Sequence, residues 1–471
     1  MIYSSILTIL IALFISGEIY FLGKFISKSS GAYKFNESGS ILLGAIVYFV
    51  ITFFTFFAFI WIKPTILYFV VIFLIKETIQ VIFLILRRDS FKGMKINWVA
   101  LGCTGITMII FPLMFNFALN DALDLHRSEQ VNAFQTWYLF HEVIAELSSV
   151  DVEFITKWLM SAVSSLMIYS SVTLFIISFS KKKSWVDYLI SIFITFFLML
   201  LFNFGFTLNS MVGIFILLFS IQLSVEIIMK SRRRFAVFLG LTDIVLWFFD
   251  PNLFLAIISL SIVVILLYTL LEKNKISLFW VQIISPITLL TSLWLYTTSP
   301  LGALVLVAVS IISYTFMVGI GRLDLLDKID KRFKKISIFI PILFTLVILI
   351  LALTLGFTNN MSKEEVWLFE NSIWESYGNN TWNIIQNYLY YIIMTVSVIV
   401  LIFAMFKKVK IVGYRIAGII SILILIGAYS AILNIITHET ILENQFKFIR
   451  VVAFMPLTII PFIFARRYIK I

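Results

Sequence analysis

The stretch TILYFVVIFLIKETIQVIFLILRRDSFKGMK, residues 65–95, decides the fold class of this chain. Its first part, 65–86, is an apolar run long enough to cross a bilayer as a helix, which takes about 20 residues. Four basic residues follow at once, Arg87, Arg88, Lys92 and Lys95, the signature of a segment leaving the membrane on the cytoplasmic side. Two charges, Lys76 and Glu77, interrupt the run near its middle.

Outward from that stretch, runs of the same kind fill most of the 471 residues. They fall at 2–22, 41–62, 65–86, 96–118, 158–179, 186–208, 210–228, 235–249, 252–271, 276–297, 300–319, 336–357, 384–405, 411–433 and 450–465. The runs at 235–249 and 450–465 are short, so tilt or flanking residues must complete them. Mean hydropathy is +1.05 and charged residues make up 13%, against about a quarter in soluble domains. A soluble globular class is excluded.

The net charge of +11 would suit a nucleic-acid binder, but the basic residues are not gathered on one domain. They occupy alternate gaps, at Lys24/Lys28/Lys34, Arg87/Arg88/Lys92/Lys95, Lys181/Lys182/Lys183, Lys230/Arg232/Arg233/Arg234, Lys273/Lys275, 322–335, Lys407/Lys408/Lys410 and the tail at Arg466/Arg467/Lys470. The intervening gaps carry most of the Asp and Glu. The positive-inside rule then places the N-terminus outside and the C-terminus in the cytoplasm. Basic residues so placed set orientation and meet lipid headgroups, and no nucleic-acid partner is expected. The fold expected is all-α: a polytopic bundle of about fifteen spans. The Phe- and Ile-rich, Lys-biased composition fits a low-GC Gram-positive bacterium, and hence multi-pass insertion in a bacterial plasma membrane.

The first segment has no charged leader and no small-residue cleavage site before Gly17-Glu18, so it reads as a retained span. The single Cys103 lies inside the fourth run and reads as packing. Segment 322–335 places Leu323, Leu326, Ile329 and Phe333 at helical spacing, which suits a helix lying flat on the inner leaflet. No internal repeat is visible at a half or a third of the length.

Three outer gaps are long: 119–157, 358–383 and 434–449. The first holds the densest polar cluster, Asp121-Ala-Leu-Asp124-Leu-His126-Arg127-Ser-Glu129. On a helix Asp121 and Asp124 share a face. Paired carboxylates raise one another's proton affinity, which suits a general base or a metal site. The bland alternative is a solvated turn at the end of a span. Residues 130–147 follow as an aromatic amphipathic stretch. There Val131, Phe134, Tyr138, His141 and Ala145 form one stripe, with Trp137, Phe140, Ile144 and Leu147 beside it. Such a helix suits the outer headgroup layer, where it would floor the carboxylates.

A span, an acidic cluster just past it and a juxtamembrane helix together resemble the membrane-embedded glycosyltransferases of the GT-C superfamily. The closer resemblance is to bacterial GT-C-like proteins with an Asp-Asp-x-x-Tyr-His type of motif at this place. Asp121 and His126 stand at matching spacing, whereas Ala122 replaces the second Asp and Leu125 the Tyr. The match covers some forty residues and the general pattern of spans. It implies that 1–95 are additional N-terminal spans and 96–471 a GT-C-like core. It also implies inverting transfer from a lipid-linked sugar donor, a polyprenyl phosphate, to an envelope glycan or lipid acceptor. Asp121 would be the base, Asp124 or Glu129 its support, and His126 a contact to the donor phosphate. Oxygen ligands of this kind suit Mg²⁺ or Mn²⁺ better than zinc, although nothing in the sequence requires a metal and no metal ligand is assigned. His126 and His141 lack the spacing of a helical zinc pair.

A phosphate leaving group needs an outer cation. Arg450, heading the last run with Lys447, is the candidate, and a plain interfacial anchor is the alternative. The loop 358–383 mixes carboxylates with Trp367 and Trp374. Those rings would stack on an acceptor sugar or else form an interfacial aromatic belt.

Lys76 and Glu77 point elsewhere. A charge at the bilayer centre costs at least about 2.5–3.5 kcal/mol. Adjacent residues on a helix diverge by about 100°, so one facing neighbour should not satisfy both. A partner is expected on another span, with Glu18, Asp243 or Glu226 as candidates. These charges are the case for an ion-coupled secondary transporter, the bland alternative being a buried structural pair inside a large bundle. An envelope-polysaccharide flippase or polymerase is a third alternative. The outward bias of the acidic residues favours the glycosyltransferase.

Overall fold

The computed structural model describes residues 2–29, 37–60, 65–91, 96–114, 136–179, 185–202, parts of 212–223, 234–249 and 300–320. Apart from a few turn residues these are helical throughout. In chain order the helices are α1 (Ile2–Ser29), α2 (Glu37–Ile60), α3 (Ile66–Leu86), α4 (Trp98–Met114) and α5 (Thr136–Ser148). Next come a short α6 (Val152–Phe154), a π-helical stretch Ile155–Met160, and α7 (Ser161–Phe179). Further on lie α8 (Trp185–Phe202), α9 (Arg234–Phe249) and α10 (Pro300–Ile320).

Among the described residues, four helical stretches are long and apolar enough to cross a membrane: Ile6–Ser29, Glu37–Phe59, Ile66–Leu86 and Val152–Ile177. Trp98–Met114, Trp185–Leu198 and Phe238–Phe249 are shorter apolar helices. Burial separates centre from rim. Of the apolar window in Val152–Ile177, 94% is buried, against 33% in each of α1 and α3. The uncovered face of α1 is Ile6, Leu10, Leu13 and Phe21, and that of α3 includes Leu67, Leu74, Ile79 and Leu86. Apolar faces this extensive have no stable place in water and belong against lipid chains.

Several expected boundaries move. The first run, read as ending at 22, continues helically to Ser29, because Lys24 pairs with Glu37 and Lys28 donates to the Ser90 carbonyl at 2.6 Å. The run read from 158 begins at Val152, with Asp151 capping the helix by accepting from the Glu153 amide at 2.9 Å. The expected runs at 252–271, 276–297, 336–357, 384–405, 411–433 and 450–465 lie outside the described residues. So do the inner-leaflet segment 322–335 and the loops 358–383 and 434–449.

In lipid there is no hydrophobic drive between helices, so close packing and hydrogen bonds must hold them together. The α1–α2 pair does this with small residues. Gly23 lies against the Ser40 backbone and Gly44 against the Ile19 carbonyl, so tightly that a methyl at either position would occupy the facing carbonyl group. The Ser27 and Ser40 hydroxyls, one turn from these glycines, are bonded to each other at 3.1 Å. The central helix α7 is rich in Ser and Thr that bond back to its own carbonyls, such as Ser165 to Ala162 at 2.7 Å and Ser171 to Met167 at 2.8 Å. They bring polarity without bulk. Cys103 is buried with Ala100, Tyr169, Ile177 and Tyr188.

The first four helices alternate in direction. At one end of the bundle the C-terminus of α1, the N-terminus of α2, the turn after α3 and the N-terminus of α4 converge on Glu37. This carboxylate pairs with Lys24, accepts from the Tyr20 hydroxyl at 3.3 Å and accepts from the Asn97 amide at 3.0 Å. Asn97 Nδ2 donates onward to the Tyr188 hydroxyl of α8 at 3.1 Å. The basic gaps after α1 and after α3 therefore start from one end of the bundle, and α4 ends at the other.

Candidate functional site

Midway along the spans, α1, α2 and α3 bring five polar side chains together. Lys76 and Glu77 sit near the centre of α3, so a rise of 1.5 Å per residue puts them about 15 Å from either end of the helix. Lys76 Nζ lies 2.6 Å from Glu77 Oε1 and donates to Thr52 Oγ1 at 2.9 Å. It also stands 3.8 Å from the centre of the Tyr48 ring, a cation–π contact in a desolvated place. The Tyr48 hydroxyl donates to the same Glu77 oxygen at 2.7 Å. Glu18 of α1 closes the cluster, acting on both Glu77 and Lys76. Glu18, Lys76 and Glu77 are each less than a tenth exposed.

The expectation that Lys76 and Glu77 could not share a neighbour is corrected by this geometry. The long Lys stem curls back over the Tyr48 ring, so both charged ends meet α2 at Tyr48 and Thr52. Of the candidate partners, Glu18 is the one beside them. Asp243 is buried on α9 and does not figure among the charges acting on Lys76, while Glu226 lies outside the described residues. Tyr48 and Thr52, which satisfy half of the cluster, were missed in the sequence because a lone Tyr and Thr in an apolar run carry no signal.

Helix α5 is the second feature of interest, since it directly follows the acidic stretch. It was expected to float in the headgroup layer. Instead Trp137, Leu139, Phe140, His141, Val143, Ile144 and Ala145 are all buried, and the helix is set among α2, α3 and α9. The Phe140 ring lies 5.8 Å from Phe73 and 5.9 Å from Phe49, and Trp137 lies 4.8 Å from Phe249. Apolar residues surround so much of α5 that one interface could not cover them, and the aromatic rings of three neighbours do. Its His141 Nδ1 is bonded to Thr156 Oγ1 at 2.7 Å, on the π-helical stretch, a kind of irregularity frequent at functional sites. Ser149 turns the chain between α5 and α6 with φ 53°. Glu142 on α5 is half-buried, and burial pushes its carboxyl up to about 7.

The residues singled out for glycosyl transfer, Asp121, Asp124, His126 and Glu129, lie outside the described residues, as do Trp367, Trp374, Lys447 and Arg450. The same holds for the oxygen ligands that Mg²⁺ or Mn²⁺ would need. Among the described residues, no three His, Cys, Asp or Glu side chains converge on a common point.

Apolar helices around a buried polar cluster define the described residues as the all-helical part of a membrane protein, with four candidate membrane-spanning helices. Comparisons with protein-family models, with curated proteins and with solved structures gave no match to it.

Proposed function

We propose that the chain is a membrane glycosyltransferase. In this reading it moves a sugar from a polyprenyl-phosphate donor to an envelope glycan or lipid acceptor at the outer face of a bacterial plasma membrane. The topology that goes with it has fifteen spans, an outer N-terminus and a cytoplasmic C-terminus. The observation that carries the reading is the setting of the acidic cluster at 121–129 along the chain. It lies between α4 and α5. Helix α4 ends away from the Lys24, Lys28 and Ser90 end of the bundle. Helix α5 packs on the opposite halves of α2 and α3, at Phe49, Phe53, Phe56 and Phe73. In this reading the carboxylates fall on the side facing away from the basic gaps, as an outward-facing enzyme requires.

Asp121 takes the proton of the acceptor hydroxyl as that oxygen attacks the anomeric carbon. The bond from that carbon to the phosphate oxygen breaks with inversion, and the polyprenyl phosphate leaves. Arg450 and Lys447 meet its charge, and His126 contacts the donor phosphate. Asp124 and Glu129 support the base, and Trp367 and Trp374 stack on the acceptor. The test is sugar transfer by the purified protein in liposomes, offered a panel of radiolabelled polyprenyl-phosphate sugars. Loss of a general base costs about 10²–10⁴-fold, so Asp121→Asn is expected to fall by that much. Full activity in the variant removes Asp121 from the mechanism.

A second reading, an ion-coupled secondary transporter, is favoured by the charges at the middle of α1 and α3. Solute uptake driven by an ion gradient, abolished in Lys76→Met, with no donor turned over, would replace the first reading.

A further inference from the structure

The buried cluster is short of hydrogen-bond donors in a way that identifies what occupies it. An ammonium group has three protons to give. Those of Lys76 are directed to Glu77 Oε1, to Thr52 Oγ1 and to the face of the Tyr48 ring. The one hydroxyl proton of Tyr48 also goes to Glu77 Oε1. Both carboxyl oxygens of Glu18 and the second oxygen of Glu77 are then left buried with no protein donor, and Gln80 Oε1, one turn further along α3, is in the same position. Yet Glu18 faces Glu77 across the cluster. Two ionised carboxylates cannot bond, since both only accept, and two negative charges facing one ammonium would leave a net charge in the bilayer centre.

We propose that Glu18 and Glu77 hold one proton between them, which makes this cluster a proton-binding site at the centre of the membrane with Lys76 as its fixed counter-charge. One proton supplies a donor between one Glu18 oxygen and the second oxygen of Glu77 and brings the sum of the three charged groups to zero. Other titratable groups nearby are already engaged elsewhere. Glu37 of α2 is paired with Lys24 at the end of the bundle, His141 of α5 is bonded to Thr156, and α7 carries no charged residue. Tyr48 faces the pair as a donor, and Glu142 of α5 does not figure among the groups acting on Glu18. Occupancy by a proton does not depend on whether the chain is an enzyme or a transporter.

The test is infrared spectroscopy of the full-length protein in lipid nanodiscs at neutral pH, with H₂O and D₂O compared. Every sample, including the wild-type cluster, carries Glu142→Gln, because the Glu142 carboxyl, raised to about 7, would add a band of its own. The wild-type cluster is expected to show the C=O stretch of a protonated, buried carboxylic acid. Both Glu18→Gln and Glu77→Gln are expected to lose that band, because either substitution leaves a single carboxylate to balance Lys76. Glutamine keeps the volume and supplies an amide donor, and size-exclusion elution reports whether each variant folds. One folded variant suffices for the comparison. Absence of the band in the wild-type cluster, or its survival in Glu18→Gln, overturns the proposal. Disappearance of the band on adding Na⁺ at constant pH overturns the proton as occupant in favour of a metal cation.

Discussion

Replacing Gly44 by Ala tests the tightest interface in the described bundle. The added methyl would fall on the Ile19 carbonyl and beside the Gly23 amide nitrogen. Both obstacles are backbone, so no change of rotamer relieves them and α1 and α2 must move apart. Overpacking of this kind costs about 1–3 kcal/mol. Separation also loosens the Ser27–Ser40 hydrogen bond, worth about 0.5–1.5 kcal/mol. Against this, Ala in place of Gly inside a helix returns about 0.8–1.0 kcal/mol. The net expectation is a loss of about 2 kcal/mol, within a range of about 0.5–3.5 kcal/mol. Gly102 and Gly105 on α4 are the controls, because a methyl at either meets nothing within 4 Å, and alanine there is expected to cost nothing. The assay is equilibrium unfolding in mixed micelles by titration with SDS, followed by tryptophan fluorescence. The double variant Gly23→Ala/Gly44→Ala is expected to lose less than the sum of the singles, since the first methyl already parts the helices. Equal stability of Gly44→Ala and Gly102→Ala would refute the reasoning.

Two further outcomes are expected. Removing one member of a buried ion pair costs about 3–5 kcal/mol, whereas replacing both can be near neutral. Lys76→Met is therefore expected to unfold far more easily than Lys76→Met/Glu77→Gln in the same titration, and additivity of the single effects would exclude the pairing. Burial raises the Glu142 carboxyl to about 7 from 4.5, so its folded form binds a proton that the unfolded form has already released. The stability from this group is full below about pH 4.5 and is lost as pH rises through about 7. Glu142→Gln is expected to flatten that part of the stability curve, measured by unfolding at a series of pH values, and an unchanged slope would show that Glu142 is not buried in this way.

The helical membrane class was legible because a run such as 65–86 carries its whole meaning in composition. Helix ends were less so. Lys24 and Lys28 looked like the edge of the membrane, and only the positions of Glu37 and Ser90, far along the chain, show how the helix carries them. The amphipathic pattern of 130–147 predicts a helix, which the described residues 136–148 form, but says nothing of what covers it, so burial among α2, α3 and α9 could not be foreseen. Glu18 was a nameable partner for the buried charges because few charges lie at that depth. Tyr48 and Thr52 were not, and neither were Gly23 and Gly44, whose importance depends on a facing backbone rather than on their own spacing. The acidic cluster at 121–129 is the reverse case, chemically conspicuous in sequence and dependent on its neighbours for any role.

The cluster joining α1, α2 and α3 also bears on how the protein is made. A segment carrying Lys76 and Glu77 enters a bilayer poorly on its own, by about 2.5–3.5 kcal/mol for the Lys alone. The helices synthesised just before it already hold Glu18, Tyr48 and Thr52 at matching depth. The order in which the ribosome delivers these helices is thus the order in which their bonds can form. The first hairpin acts as a receiving site for the third helix, so membrane insertion and folding are a single event in this part of the chain.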